Sequence, residues 1–124
     1  VLGGWRIVFQ AKSAVIHSHN RPAKEEGRRI YCDHQNLRDL FDLRLLPTWE
    51  SYRDGVAWGE REYSRIVDEL GLPPAEAEVL RAWARAYAHD SALGMFLGAA
   101  WPENSRGPHA AFFAEIDRRM HRGI

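Results

Sequence analysis

Two short apolar runs open the chain, and every apolar pattern after them has a helical period. Residues 5 to 9, WRIVF, and residues 14 to 17, AVIH, read as strands, and the polar QAKS between them is hairpin-sized. Val15 and Ile16 point to opposite faces, so the second strand is expected to be covered on both sides. The first residue is Val1, and the opening run reads as the interior of a structural element. A lone two-stranded hairpin is marginal, so the pair calls for a sheet that the rest of the sequence does not supply.

After Asn20 the pattern changes. Pro22 suits the first turn of a helix, and AKEEGRRIYCDHQNLRDLFDL carries Ile30, Leu37, Leu40 and Phe41 at three-to-four spacing, with Gly27 weakening the early turns. Pro47 breaks the run, and Thr48 is placed as the N-cap of a second helix. That helix carries Trp49, Tyr52, Val56, Tyr63, Ile66, Val67 and Leu70, with Gly71 at its end. Pro73 and Pro74 restart the chain into AEAEVLRAWARAYAHD, a helix continuing towards Trp101. PENSRGP reads as a loop, and HAAFFAEIDRRMHR as a last amphipathic helix. The expected organisation is terminal strands over 1–20, a helical region over 21–101, and a loop and helix over 102–124.

Composition narrows the function classes. At 124 residues the chain is one small domain with room for a single modest core. Seventeen basic and seventeen acidic residues cancel, so no nucleic-acid partner is expected. The single cysteine, Cys32, rules out an internal disulfide, suits a reducing compartment and reads as a packed thiol. The longest uncharged apolar run, ALGMFLGAAW, is about half of the ~20 residues that a spanning helix needs, which places the chain at most beside a membrane.

The chemistry worth testing sits in AVIHSHN. On an extended strand His17 and His19 share a face, roughly 6.6 Å apart along the backbone, where either imidazole could meet a metal ion or a phosphate. The alternative is a strand end whose polar residues face water. A JAMM-type zinc hydrolase begins with a similar HSH, but the serine and aspartate it needs fall here on Gly27 and Ile30. An HNH nuclease is imitated faintly by His17, His34 and Asn36, without the separating hairpin or a basic excess.

GWRIVFQAKSAVIHSHN resembles the segment that closes the catalytic domain of family 2 glycosyltransferases, the bacterial rhamnosyltransferase-like branch in particular. The matching parts are Gly4-Trp5-Arg6, the link Gln10 to Ser13, and Val15-Ile16-His17. YCDHQNLRDLFDLRLLPT resembles the branch's helical tail. The likeness covers residues 3 to about 48, thins through ALGMFLGAAW and is absent beyond Pro102, and Arg21-Pro22 replaces the branch's tyrosine after HSHN.

The resemblance implies a chain that is mainly α with an N-terminal strand pair, the C-terminal piece of an α/β GT-A fold. It implies transfer of a sugar, rhamnose among the candidates, from a nucleotide diphosphate donor to a glycan or lipid-linked acceptor, with Mg²⁺ or Mn²⁺ gripping the diphosphate. By motif position His17 would meet the metal or diphosphate, with His19 beside it. The family's aspartate-rich motif and acidic base have no counterpart here and are expected upstream, so no catalytic residue is assigned and the chain alone is expected to be inactive. The implied setting is cytoplasmic, at the inner face of a membrane.

In the helical part, Arg21, Lys24, Arg28 and Arg29 form a basic cluster that could face a lipid diphosphate or an anionic surface, although Glu25 and Glu26 interrupt it and a solvated mixed-charge face is the plainer reading. Trp49, Trp58, Trp83 and Trp101 read as core rather than as an interfacial belt, and His89, Asp90 and His109 as surface or loop. An apolar face left without its sheet predicts self-association or poor solubility, and the family's tail helices, by the resemblance, would shape the acceptor side or make peripheral contact with partners or a membrane. The opposing function class is a small helical interaction module without catalysis.

Overall fold

The computed structural model describes residues 21–122, and all their regular structure is helical. The expected α/β GT-A piece with a strand pair is therefore corrected: among the described residues there is no strand or sheet. The helices pack on one another through small and apolar residues. The strands placed at 5–9 and 14–17 lie outside the described residues.

Helix α1 runs Ala23–Phe41, α2 Trp49–Glu69, α3 Pro74–Ala99, α4 Trp101–Asn104 and α5 Ala110–Met120. Their ends follow from local chemistry. Pro22 precedes α1, and Glu25 and Glu26 in its first turn complement the positive end of the helix dipole. Asp42 closes α1 in the left-handed region at φ 52°, where its N–H donates to the Arg38 carbonyl. Thr48 caps α2 as its position predicts. The Ser51 N–H donates to Thr48 Oγ1 at 3.1 Å, and the Thr48 N–H donates back to Ser51 Oγ at 3.0 Å. Gly71 then turns the chain at φ 61°, a conformation that a side chain would strain. The run read as a loop begins with one helical turn, because Pro102 is tolerated where no N–H is needed.

α3 is the central helix. α1 and α2 both pack on it, and α5 packs across α1 and α4. Small residues set the spacing: Ala88 of α3 meets Gly59 of α2, while Gly94 and Gly98 lie against the backbone of α1 around Gly27 and Tyr31. Gly27 weakens α1 locally, as composition implies, but its absent side chain lets α1 approach α3.

A core of Tyr31, Leu97 and Phe113 forms where α1, α3 and α5 meet, with Phe96, Trp101, Ile116 and Met120 around it. The buried residues of α1 are Ala23, Glu26, Gly27, Ile30, Tyr31, His34 and Arg38. The expected apolar face is thus corrected at its end, since Leu40 and Phe41 are about 70% exposed. The close approach to α3 selects the stripe that begins at Gly27, and this rotates Leu40 and Phe41 outward. Arg38 enters the interface because its guanidinium donates to the Gly98 carbonyl at 2.5 Å and to Asp39 at 2.8 Å. The tryptophan reading is corrected too: Trp49 and Trp58 are 59% exposed and Trp83 46%, while Gly55 and Gly59 of α2 meet Ala92 and Ala88 of α3 in the helix contact. Trp101 does pack on the core.

Candidate functional site

A cleft of about 560 Å³ opens between α1, the middle of α3 and the end of α5. Lys24, Gly27 and Arg28 recur at helical spacing along one side of α1 and line one wall. Ile116, Arg118, Arg119, Met120 and Arg122 line the other, and Asp90 and Leu93 of α3 complete the cleft.

The α5 wall is held by a partly buried polar contact. The Tyr31 hydroxyl donates to Asp117 Oδ1 at 2.5 Å, and Gln35 Nε2 donates to both the hydroxyl (2.8 Å) and that oxygen (3.1 Å). Burial first, and then the Asp117 carboxylate, push the Tyr31 phenol well above its usual range, so it stays protonated and serves as a donor. His121 adds an edge-to-face contact with the Tyr31 ring at 5.7 Å. Across the cleft, Arg28 Nε donates to the Met120 carbonyl at 3.2 Å, a cation at the negative end of α5. Its Nη2 is buried without a hydrogen-bond acceptor.

The other cations differ in how they are held. Arg118 and Arg119 both reach Glu115 at 2.7 Å and hold its carboxyl down to about 2. Lys24 and Arg122 have no ion pair among the described residues. Of the cluster read from the sequence, Lys24 and Arg28 line the cleft, Arg29 is tied to Glu26 and Asp33, and Arg21 lies exposed ahead of α1. Sequence reasoning missed Arg118, Arg119 and Arg122. The run RRMHR was a visible cue, but only tertiary packing brings it to Arg28, which lies 92 positions before Met120.

Three further groups take definite places. His89, read as a surface residue, is exposed yet bridges the Tyr52 hydroxyl at 3.0 Å and Asp90 at 3.3 Å. His34 is buried, which pushes its imidazole below the usual range and favours the neutral ring. Cys32 packs beside the core, where burial pushes its thiol up and keeps it from being a ready nucleophile.

His17 and His19, the expected metal or diphosphate contacts, lie outside the described residues. Among the described residues no three His, Cys, Asp or Glu side chains gather as a metal site would require. These residues therefore do not fit the Mg²⁺ or Mn²⁺ that the resemblance implies, and no chemistry is drawn through it. Among them, too, no helix is long and apolar enough to cross a membrane. The chain matches no protein-family model, no curated protein and no solved structure.

Proposed function

We propose that the chain is the helical, acceptor-side part of an enzyme that transfers a sugar from a nucleotide diphosphate to a glycan or lipid-linked acceptor. The observation that carries this reading is the cleft. Lys24 and Arg28, on the helix just after AVIHSHN, meet Arg118, Arg119 and Arg122 across one cavity. The resemblance of residues 3 to about 48 to family 2 glycosyltransferases supplies the reaction class. In that reaction an acceptor hydroxyl forms a bond to the anomeric carbon as the bond to the departing diphosphate breaks. The described residues contribute binding rather than chemistry. The cations of the cleft hold an anionic acceptor so that its hydroxyl is presented in one orientation, which lowers the entropic part of the barrier.

The test is sugar transfer by the protein as isolated from its source, against a panel of nucleotide sugars that includes rhamnosyl donors. Arg28→Gln is expected to raise the acceptor KM about tenfold or more and to leave the donor KM unchanged, as loss of a charged hydrogen bond to one substrate would. Transfer of no sugar at all, or an acceptor KM that does not move, contradicts the proposal.

A second reading, a helical interaction module without catalysis, draws on one observation. Leu40, Phe41, Leu43, Leu45 and Trp49 are each more than 40% exposed within ten residues of sequence. An inactive native protein that recovers a partner chain through this segment would favour it.

A further inference from the structure

The cleft has a balance of charge and apolar surface that a bare anion would not use. Five cations line it, and after Asp90 and Glu115 are counted against them three positive charges remain. Arg28 lies along the α1 wall with its Nε on the Met120 carbonyl, and no carboxylate among the described residues pairs with it, so its charge is not neutralised locally. Arg118 and Arg119 are partly satisfied by Glu115, which leaves Lys24, Arg28 and Arg122 as the cations best placed for a ligand. Asp90 repels an anion, but it lines the α3 side with Leu93 and contacts His89 at 3.3 Å. Leu93, Ile116 and Met120 line the cleft as well, and a volume of about 560 Å³ falls in the range of small-molecule sites rather than single-ion sites.

We infer that this cleft binds an organic diphosphate, with the diphosphate on Lys24, Arg28 and Arg122 and the apolar body against Leu93, Ile116 and Met120. Three uncompensated positive charges complement the charge of roughly −3 on a diphosphate monoester near neutral pH. The planar guanidiniums of Arg28 and Arg122 suit phosphoryl oxygens better than ammoniums would. The inference rests on the acceptor-side reading of the cleft and names the chemical class held there. The same chemistry could arrive on a lipid in a bilayer or as a free molecule.

The experiment is calorimetric titration of the 124-residue chain with geranyl diphosphate and, separately, with inorganic pyrophosphate and a polyglutamate peptide. One saturable site is expected for geranyl diphosphate, about tenfold or more tighter than for pyrophosphate. Arg28→Gln should weaken it about ten- to a hundredfold. Arg53→Gln, on the exposed side of α2, should leave it unchanged. Because Arg28 also bonds the end of α5, Lys24→Gln serves as a second variant whose exposed side chain makes no contact that holds the fold, and it should weaken binding in the same direction. Absent binding, pyrophosphate or polyglutamate binding as tightly as geranyl diphosphate, or equal losses in the Arg28 and Arg53 variants would each overturn the inference.

Co-sedimentation with phosphatidylcholine vesicles, with and without a polyprenyl diphosphate, separates the sources. Capture only by diphosphate-bearing vesicles identifies a lipid ligand, and geranyl diphosphate binding without capture identifies a free one. Binding by a native protein that transfers no sugar defeats the transferase reading alone. Transfer without binding defeats this inference alone.

Discussion

Gly94→Leu is expected to abolish the cooperative unfolding transition of this chain. A side chain at Gly94 has no open direction, because its first carbon would fall on the Gly27 carbonyl and 3.1 Å from the Tyr31 nitrogen. Neighbouring positions are as tight: a Cβ on Gly98 would lie 2.7 Å from the Tyr31 carbonyl, and one on Gly27 2.7 Å from the Asp90 carbonyl. These obstacles are backbone atoms, which cannot rotate away as a side chain can. Even Gly94→Ala, which gains about 1 kcal/mol in helix propensity, should be destabilising, since overpacking costs about 1–3 kcal/mol and the two helices would have to separate. Leucine forces a wider separation, in a domain whose whole stability is of order 5–15 kcal/mol. Gly55→Ala is the contrasting case. Its Cβ would meet the Leu46 side chain at 2.9 Å, a flexible group that can move, so the change should be within about 1 kcal/mol of neutral. Urea unfolding followed by far-ultraviolet circular dichroism ranks the three variants. A Gly94→Leu protein that unfolds at the parent's midpoint would show that α1 and α3 do not approach as described.

Tyr31→Ala has the second largest expected effect, and it reaches the cleft. Tyr31 is fully buried, packs edge-to-face on Trp101 with ring centres 6.5 Å apart, and donates to Asp117 of α5. Removing a buried aromatic side chain costs about 3–5 kcal/mol, and here it also leaves Asp117 without its main donor. α5 makes its contacts chiefly with α1 and α4, so the loss falls on the helix carrying Arg118 and Arg119. The expected result is a lower unfolding midpoint together with early proteolytic cleavage between residues 105 and 122, before the α1–α3 pair opens. Tyr31→Phe keeps the ring packing and should retain α5 while losing about 1–2 kcal/mol. Simultaneous cleavage across the whole chain in Tyr31→Ala would contradict a separately docked α5.

Thr48, Gly71 and the prolines before α1 and α3 announce helix ends through local chemistry, and the structure follows them. The direction in which each helix faces was less legible. Apolar periodicity put Leu40 and Phe41 inside, whereas the stripe of Gly27, Tyr31 and His34 is what α3 contacts, because close packing rewards small residues as much as apolar ones. Trp49, Trp58 and Trp83 were misplaced for the same reason. The sheet that WRIVF and AVIH call for is corrected in the described residues by helices that cover one another.

The cleft was half visible. Lys24 and Arg28 stood out as cations close in sequence, but nothing local separates them from Arg29, which differs only in meeting Glu26 and Asp33. Arg118, Arg119 and Arg122 read as the polar side of an amphipathic helix until α5 docks on Tyr31. Charge that is distributed evenly in composition becomes concentrated only through packing, which is how a chain with a net charge of zero can carry a basic cleft.

The most direct test of the account is amide chemical-shift mapping by NMR on the 124-residue chain as geranyl diphosphate is added. Saturable shifts concentrated at residues 24–28, 90–93 and 116–122, with α2 unmoved, are the predicted result. Shifts centred on α2 or on residues 40–49, or none at millimolar ligand, would contradict it.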